Sequence, residues 1–457
     1  MAENTAILET TIETLVENKK YATLRDILVT MQPADIASLF ADVDEDKLPL
    51  LFRLLPKELA ADTFVEMDSD QQELLIRGFS DVELKEVVDE LYVDDAADIV
   101  EEMPANVVKR ILRQADPEMR KMINEILKYP DDSAGSIMTT EYVTLRPHMT
   151  AEEAIKRIRR TGVDKETIYT CYITDDNRHL LGYTTLKSIL MADEDMEMSE
   201  LMGTDIISVT TTDDQEIVAN AFSRYDLQAL PVVDKENRLV GIVTVDDAID
   251  VMEEEATEDI EKMAAITPTD KPYLKMSVWE IWKSRIPWLL LLMISATFTG
   301  LIISRFETAL AASVVLTAFI PMLMDTGGNS GSQASVTIIR ALSLGDLDFS
   351  DIARVIWKES RVSLLCGVTL AAATFVKIQL VDVMLLHNDI SMLVAAVVCI
   401  TLALTVFFAK LVGCSLPMLA QRLGFDPAVM ASPFITTIVD ALSLLIYFRV
   451  ATALLGL

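Results

Sequence analysis

Two carboxylate patterns in this chain of 457 residues have no simple explanation as surface decoration. Asp440 stands in Thr436-Thr437-Ile438-Val439-Asp440-Ala441-Leu442-Ser443, deep inside an apolar run. A carboxylate at the centre of a bilayer costs about 2.5–3.5 kcal/mol even on insertion scales, and it faces a water-filled path or a partner. Arg340 and Lys410 are the available bases, but both lie near the ends of apolar runs, where long side chains reach the headgroups. The second pattern is Asp246–Glu261, with nine acidic side chains and no base. Like charges at this spacing destabilise an isolated helix by about 0.2–0.5 kcal/mol per pair. The stripe Ile249, Met252, Ala256, Ile260 and Met263 predicts a folded helix all the same, and a bound cation reconciles the two.

A third stretch helps to choose the cation. Pro321–Ser335 places Asn329, Gln333 and Ser335 along a helical path, with Thr337 just beyond, beside Gly327, Gly328 and Gly331. Glycines next to a proline predict freed backbone carbonyls, which a bilayer tolerates only beside protein or a wet cavity. The four-residue spacing of Gly327 and Gly331 is equally what close helix packing needs. The candidate permeation residues are therefore Asp440, Asn329, Gly328, Thr436 and Asp325. Neutral oxygens around a carboxylate suit a cation that keeps its hydration shell, as magnesium does, and a two-fold axis along a pore would bring two copies of Asp440 together. Composition alone does not separate magnesium from calcium or manganese. Three scattered histidines and four cysteines without a Cys-x-x-Cys pair leave little for a zinc site or a disulfide framework.

These residues need two kinds of scaffold. The chain carries 39 basic and 71 acidic side chains, and residues 284–457 hold 10 of each, so the whole excess of −32 lies upstream. That charge excludes a nucleic-acid binder acting through phosphate neutralisation and disfavours docking on anionic lipid. The downstream half contains five apolar stretches, about 286–304, 309–341, 362–382, 390–416 and 427–454. Arg354, Lys358, Arg361 and Arg422 then fall in inner loops, with Asp382 and Asp389 outside, which predicts a multi-pass protein of the cell membrane with its N-terminus cytoplasmic and its C-terminus outside. Met1–Lys20 has no apolar signal core.

Upstream, residues 1–130 read as short helices broken at Pro33, Pro56, Pro104 and Pro117, an armadillo-like stack or a plain bundle. Residues 131–245 contain a repeat: Ile137–Leu145 aligns with Leu201–Val209, and Leu180–Thr185 with Leu239–Thr244. Two strand-strand-helix units of this kind resemble a tandem pair of CBS (cystathionine-β-synthase-type) domains. Nucleotide-binding CBS pairs hold ribose with a Thr or Ser followed by an Asp. Thr244 and Asp247 fit, with Tyr169 as a further candidate, whereas the first copy has Thr185 and Ser188. ATP is thus a candidate regulatory ligand.

The full order is an acidic helical domain (1–130), a CBS pair (131–245), an acidic connecting helix (246–275) and a five-helix membrane domain (276–457). With Asp-Thr-Gly-Gly-Asn-Ser-Gly-Ser-Gln (325–333) and Ser-Pro-Phe-Ile-Thr-Thr-Ile-Val-Asp (432–440), this order resembles the MgtE family of magnesium transporters. The resemblance implies a homodimeric Mg²⁺ channel in the bilayer, a pore carboxylate at Asp440 and a cytosolic gate closed by magnesium. It implies regulatory ligands at Asp62, Asp94, Asp98, Glu216, Asp226, Asp247, Asp250, Glu255, Glu258 and Asp259. The family often shows Glu where Asp62 stands and Asn where Ser432 stands. Acidic surfaces would repel across a Debye length of about 8 Å and close when bridged, drawing a helix at about 246–268 under the pore. A coupled transporter, and a membrane-bound ion or nucleotide sensor without transport, are the competing readings. No nucleophile-base pair or phosphate loop points to an enzyme.

Overall fold

The computed structural model describes residues 11–456 apart from 13, 17, 42, 164, 270, 272 and 431. The chain divides into two units, Met1–Val251 and Met252–Leu457.

The first unit starts with short helices: α1 (Tyr21–Leu28), α2 (Pro33–Ala41), α3 (Leu48–Phe52), α4 (Lys57–Val65), α5 (Ser69–Gly78), α6 (Asp81–Val88), α7 (Val93–Glu102), α8 (Ala105–Gln114) and α9 (Pro117–Ile126). Pro33 and Pro117 open helices, and Pro56 and Pro104 immediately precede them. A residue without an N–H and with a preset φ costs nothing there and breaks a helix anywhere later. Side-chain caps contribute too: Ser80 and Glu83 form a reciprocal capping box on α6, and Asp116, just before Pro117, accepts from the Glu118 and Met119 amides. Helices mostly pack on the next but one, α2 on α4, α3 on α5, α4 on α6, α6 on α8 and α7 on α9, which is the expected stack. Phe52, Phe64 and Phe79 meet in its core with ring centroids 5.4–6.4 Å apart.

The repeat then builds two three-stranded sheets, β1 (Thr144–Leu145), β2 (Thr170–Thr174) and β3 (Leu180–Thr185), and β4 (Val209–Thr210), β5 (Ala229–Val233) and β6 (Leu239–Thr244). In each, the first strand pairs parallel to the second and the second antiparallel to the third. Helices α10 (Ala151–Thr161), α11 (Leu186–Met191), α12 (Met198–Leu201) and α13 (Gln215–Tyr225) complete the pair. The copies also exchange segments. Thr139 bonds both ways with Ile242 (2.8 and 2.9 Å), as its counterpart Gly203 does with Tyr183 (2.9 and 3.1 Å). This explains a glycine in β3 and in β6: a Cβ on Gly182 would stand 2.8 Å from Met202 Sδ, and one on Gly241 2.5 Å from Met138 Sδ.

Helix α14 (Val245–Met263) runs from the first unit into the second. It is shorter than the expected 246–275 or 246–268. Ala265 turns into the left-handed region at φ +55°, and Thr267-Pro268 cannot continue a helix.

Among its described residues the second unit has five long helices, α15 (Val278–Arg305), α17 (Ile320–Ser343), α18 (Ile352–Lys377), α19 (Met392–Arg422) and α20 (Ser432–Leu455), with a short α16 (Glu307–Ala312). Among the described residues four spans, Val278–Arg305, Phe349–Leu385, Met392–Arg422 and Pro427–Leu455, are long and apolar enough to cross a bilayer. α17 is the less apolar fifth. The stretch expected as one span over 309–341 is instead divided into α16, a 3₁₀ segment Val314–Phe319 and α17. The helix of α17 runs unbroken through its glycines, so the expected freed carbonyls do not arise, because Pro321 sits in its first turn where no hydrogen bond is lost. Arg354, Lys358 and Arg361, expected in a loop, lie in the first turns of α18. α19 is the central element, packing on α17, α18 and α20. α15 buries none of its apolar window within the chain, as a lipid-facing helix would.

Candidate metal sites

In the first unit, α7 buries Val93, Ala96, Ala97, Ile99 and Val100. The same turns carry Asp94, Asp95 and Asp98. Asp94 is only 5% exposed. One oxygen each of Asp94, Glu141 and Glu166 lie within 4.8 Å of one another. Glu141 comes from the segment before β1, where it also accepts from the Val93 amide at 3.4 Å, and Glu166 from the loop after α10. Asp247, in the first turn of α14, accepts from Thr244 Oγ1 at 2.6 Å and interacts with Asp94.

Loss of water, then mutual repulsion, raises this whole group. Burial, followed by Asp247, pushes Asp95 up to about 7, and burial, followed by Asp94, pushes Glu166 up to about 9. Asp98 rises to about 8 for the same reasons, although its side chain reaches solvent. Asp94 and Asp247 rise too, burial first and each other's charge next. Asp94 Oδ1 and Glu166 Oε2 are buried without a hydrogen-bond partner. A buried, orphaned carboxylate oxygen among further carboxylates is the donor set a hard divalent cation takes.

The other regulatory candidates fall in different places. Asp62 acts electrostatically on Asp95 and on Glu66, and Glu66 is raised by burial and then by Asp250. Glu216 and Asp226 stand at opposite ends of α13, so the fold does not bring them together. Glu255, Glu258 and Asp259 lie on the part of α14 in the second unit. There Glu258 pairs with Lys262 (2.6 Å), which also holds Asp426 (2.7 Å), and Asp259 accepts from Ser343 Oγ (3.0 Å). The base just beyond the acidic run thus supplies part of the counter-charge the sequence lacked.

The nucleotide candidates separate. A cavity of about 750 Å³ is lined by Tyr169, Tyr225, Thr185, Lys187, Asp205 and Asp226 among others, but not by Thr244 or Asp247. The open cleft therefore belongs to the copy with Thr185 and Ser188, whose hydroxyls lie 2.8 Å apart. Thr244 and Asp247 face the carboxylates instead.

In the second unit, α17 and α20 cross closely. A Cβ on Gly328 would stand 3.1 Å from Thr436 Cγ2, one on Gly327 2.8 Å from Ser443 Oγ, and one on Gly331 2.9 Å from Ile435 Cγ2. Asn329 Nδ2 donates to Asp325 Oδ1 at 3.1 Å, and Asp325 lies within electrostatic range of Asp440. All five candidate permeation residues thus fall in one neighbourhood, with two carboxylates rather than one. Among the described residues, no ion pair joins Asp440 to Arg340 or Lys410.

Glu141, Glu166, Asp95 and Glu66 escaped the sequence reading. The repeat carried one signal: Glu141 is the counterpart of Asp205.

Family profiles match along the chain: the MgtE divalent cation transporter domain at 320–450, the MgtE intracellular N domain at 31–132 and CBS domains at 134–195 and 198–254. The magnesium transporter MgtE of Thermus thermophilus is 38% identical over 94% of this chain and 95% of its own length. That of Bacillus subtilis is 33% identical over 96% and 95%. The crystal structure of the cytosolic domain of the Mg²⁺ channel MgtE in complex with ATP is similar at 34% identity and a TM-score of 0.51, covering 53% of this chain and 99% of that one. The soluble part of a magnesium transporter is similar at 28% identity and the same TM-score, covering 55% and 99%. With two relatives matched nearly end to end, this multi-pass membrane protein belongs to the MgtE family of magnesium transporters.

Proposed function

We propose that the chain forms a homodimeric Mg²⁺ channel of the cell membrane, with its N-terminus in the cytoplasm, in which Asp440 and Asp325 attract the ion, Asn329 and Thr436 hold its water shell, and Gly328 lets α20 approach closely enough to bring them together. The observation that carries this reading is the convergence of these residues where α17 meets α20. Their contribution is electrostatic: two carboxylates with neutral donors concentrate a divalent cation without stripping its hydration.

Closure follows from the acidic half. Asp94, Glu141, Glu166 and Asp247 would hold Mg²⁺ between α7 and the CBS pair, with Asp95 and Asp98 adding charge and Asp62, Glu66 and Asp250 forming an adjoining acidic group. Glu216, Asp226, Glu255, Glu258 and Asp259 are further regulatory ligands in this reading. Ions held only by the closed arrangement shift the population towards it. ATP is assigned to the cavity lined by Tyr169, in keeping with the ATP named for the similar cytosolic domain.

Purified protein in liposomes passes Mg²⁺ in this reading, loses conduction on Asp440→Ala, and is inhibited from the cytosolic side by millimolar Mg²⁺. A sealed bilayer with no Mg²⁺ flux at low internal magnesium sinks the channel and leaves the sensor.

A further inference from the structure

The first CBS copy contains a feature that the acidic character of the chain makes unexpected. A cavity of about 390 Å³ between β1, α10 and the β2–β3 turn is lined by Arg146, Arg157, Lys165 and Arg178, and among the described residues no carboxylate lines it. Its volume falls in the range of small-molecule sites. In a chain of net charge −32, four cations around one void need a reason.

Two of them have a structural one. Arg146 Nη1 donates to Thr174 O and Oγ1, both at 3.0 Å, and to Asp175 O, while its Nε lies 3.9 Å from Asp176, itself almost fully exposed. Arg178 Nη2 donates to Leu239 O at 2.8 Å and to Tyr142 Oη at 3.0 Å. These bonds to neutral acceptors fix the two guanidinium groups on the cavity wall, and only the exposed Asp176 stands near Arg146 as a counter-charge. The side chains of Arg157 and Lys165 have neither hydrogen bond nor ion pair among the described residues. The half-buried Arg157 is lowered by burial and then by Arg146 and Arg160, so every charge acting on it is positive. Such a concentration of like charge is unfavourable until an anion enters.

We infer that this cavity is a binding site for a small phosphate-bearing anion, held by Arg157 and Lys165 and framed by Arg146, Arg178 and the Thr144 and Thr161 hydroxyls. Guanidinium forks match phosphate oxygens, and several donors around one void suit a multiply charged tetrahedral group better than a single carboxylate. The site stands apart from the Tyr169 cavity and does not depend on the channel reading.

Inorganic pyrophosphate is the probe, titrated calorimetrically into the full chain in detergent with EDTA present so that no magnesium complex forms. Saturable binding of one pyrophosphate per chain is expected, weakened at least about tenfold by Arg157→Gln or Lys165→Gln, partly restored by Arg157→Lys, and unaffected by Lys156→Gln, which removes an exposed charge on the same helix. Neither side chain, Arg157 or Lys165, makes a hydrogen bond among the described residues, and an unchanged melting temperature for the variants checks that they do not hold the fold. Adenosine, which has no phosphate, leaves the binding intact. No saturable binding at millimolar pyrophosphate, equal binding by Arg157→Gln and Lys165→Gln, or displacement by adenosine each overturns the assignment.

Discussion

The two halves of the CBS repeat share a backbone and diverge in chemistry. Both have a threonine at the end of their third strand, Thr185 and Thr244, a polar residue three positions on, Ser188 and Asp247, and an acidic residue ahead of the first strand, Asp205 and Glu141. The cleft of the first copy keeps a cavity of about 750 Å³ walled by Tyr169 and Tyr225. In the other, Asp247 and Glu141 meet Asp94 and Asp95 from α7. Aromatic walls and an open volume suit a ring system, and clustered desolvated carboxylates suit a divalent cation. One architecture thus carries two different chemical environments, and what separates them is a Ser-for-Asp difference together with a helix from outside the repeat.

The largest expected effect tests the carboxylate half. Asp94→Asn combined with Glu166→Gln raises the Mg²⁺ concentration needed to stabilise the protein against heat by about thirtyfold, on the order of 2 kcal/mol. An unmoved midpoint would remove both residues from the site. Next come the glycines that admit the exchanged segments. Gly182→Val and Gly241→Val each cost about 1–3 kcal/mol in urea unfolding, since a Cβ meets a methionine sulfur and a backbone carbonyl there. Loss at only one position would show that the copies are not equivalent.

Making the clefts alike is the more delicate test. Ser188→Asp places a carboxylate next to the Thr185 hydroxyl, as Asp247 stands next to Thr244, and ATP affinity rises about tenfold, ~1.4 kcal/mol, by calorimetry. Equal or weaker binding would mean that ribose is held elsewhere.

The smallest effect is in the pH dependence without metal. Burial and mutual repulsion push Asp95 up to about 7 and Glu166 up to about 9 in the folded chain, against about 4 when unfolded. Between those values the folded state binds more protons, so stability falls as pH rises. In EDTA the melting temperature drops by a few degrees from pH 6 to pH 8, and saturating Mg²⁺ flattens the slope because a bound cation keeps the carboxylates ionised. A melting temperature that rises over this interval would separate the carboxylates from one another.

Legibility followed the range of the interaction. Pro33, Pro56, Pro104 and Pro117 mark helix starts because a missing N–H is a local fact. Leu180–Thr185 and Leu239–Thr244 were readable to the residue because strand periodicity and the repeat reinforce each other. The end of α14 at Met263 was misplaced because the acidic run hides where helix formation stops, which Ala265 and Pro268 decide. Glu166 was illegible, since nothing near it in sequence shows that it will lie buried beside Asp94.

The sequence by itself determined the family, the order of the elements, the location of the excess charge and the depth of Asp440 in an apolar run. These depend on composition and on contacts between near neighbours. Tertiary structure alone decided that Glu141 and Glu166 join Asp94, that Asp325 approaches Asp440, that Lys262 neutralises part of the acidic helix, and which CBS cleft stays open. Burial and charge coupling act across space, between residues whose separation along the chain carries no record of their meeting.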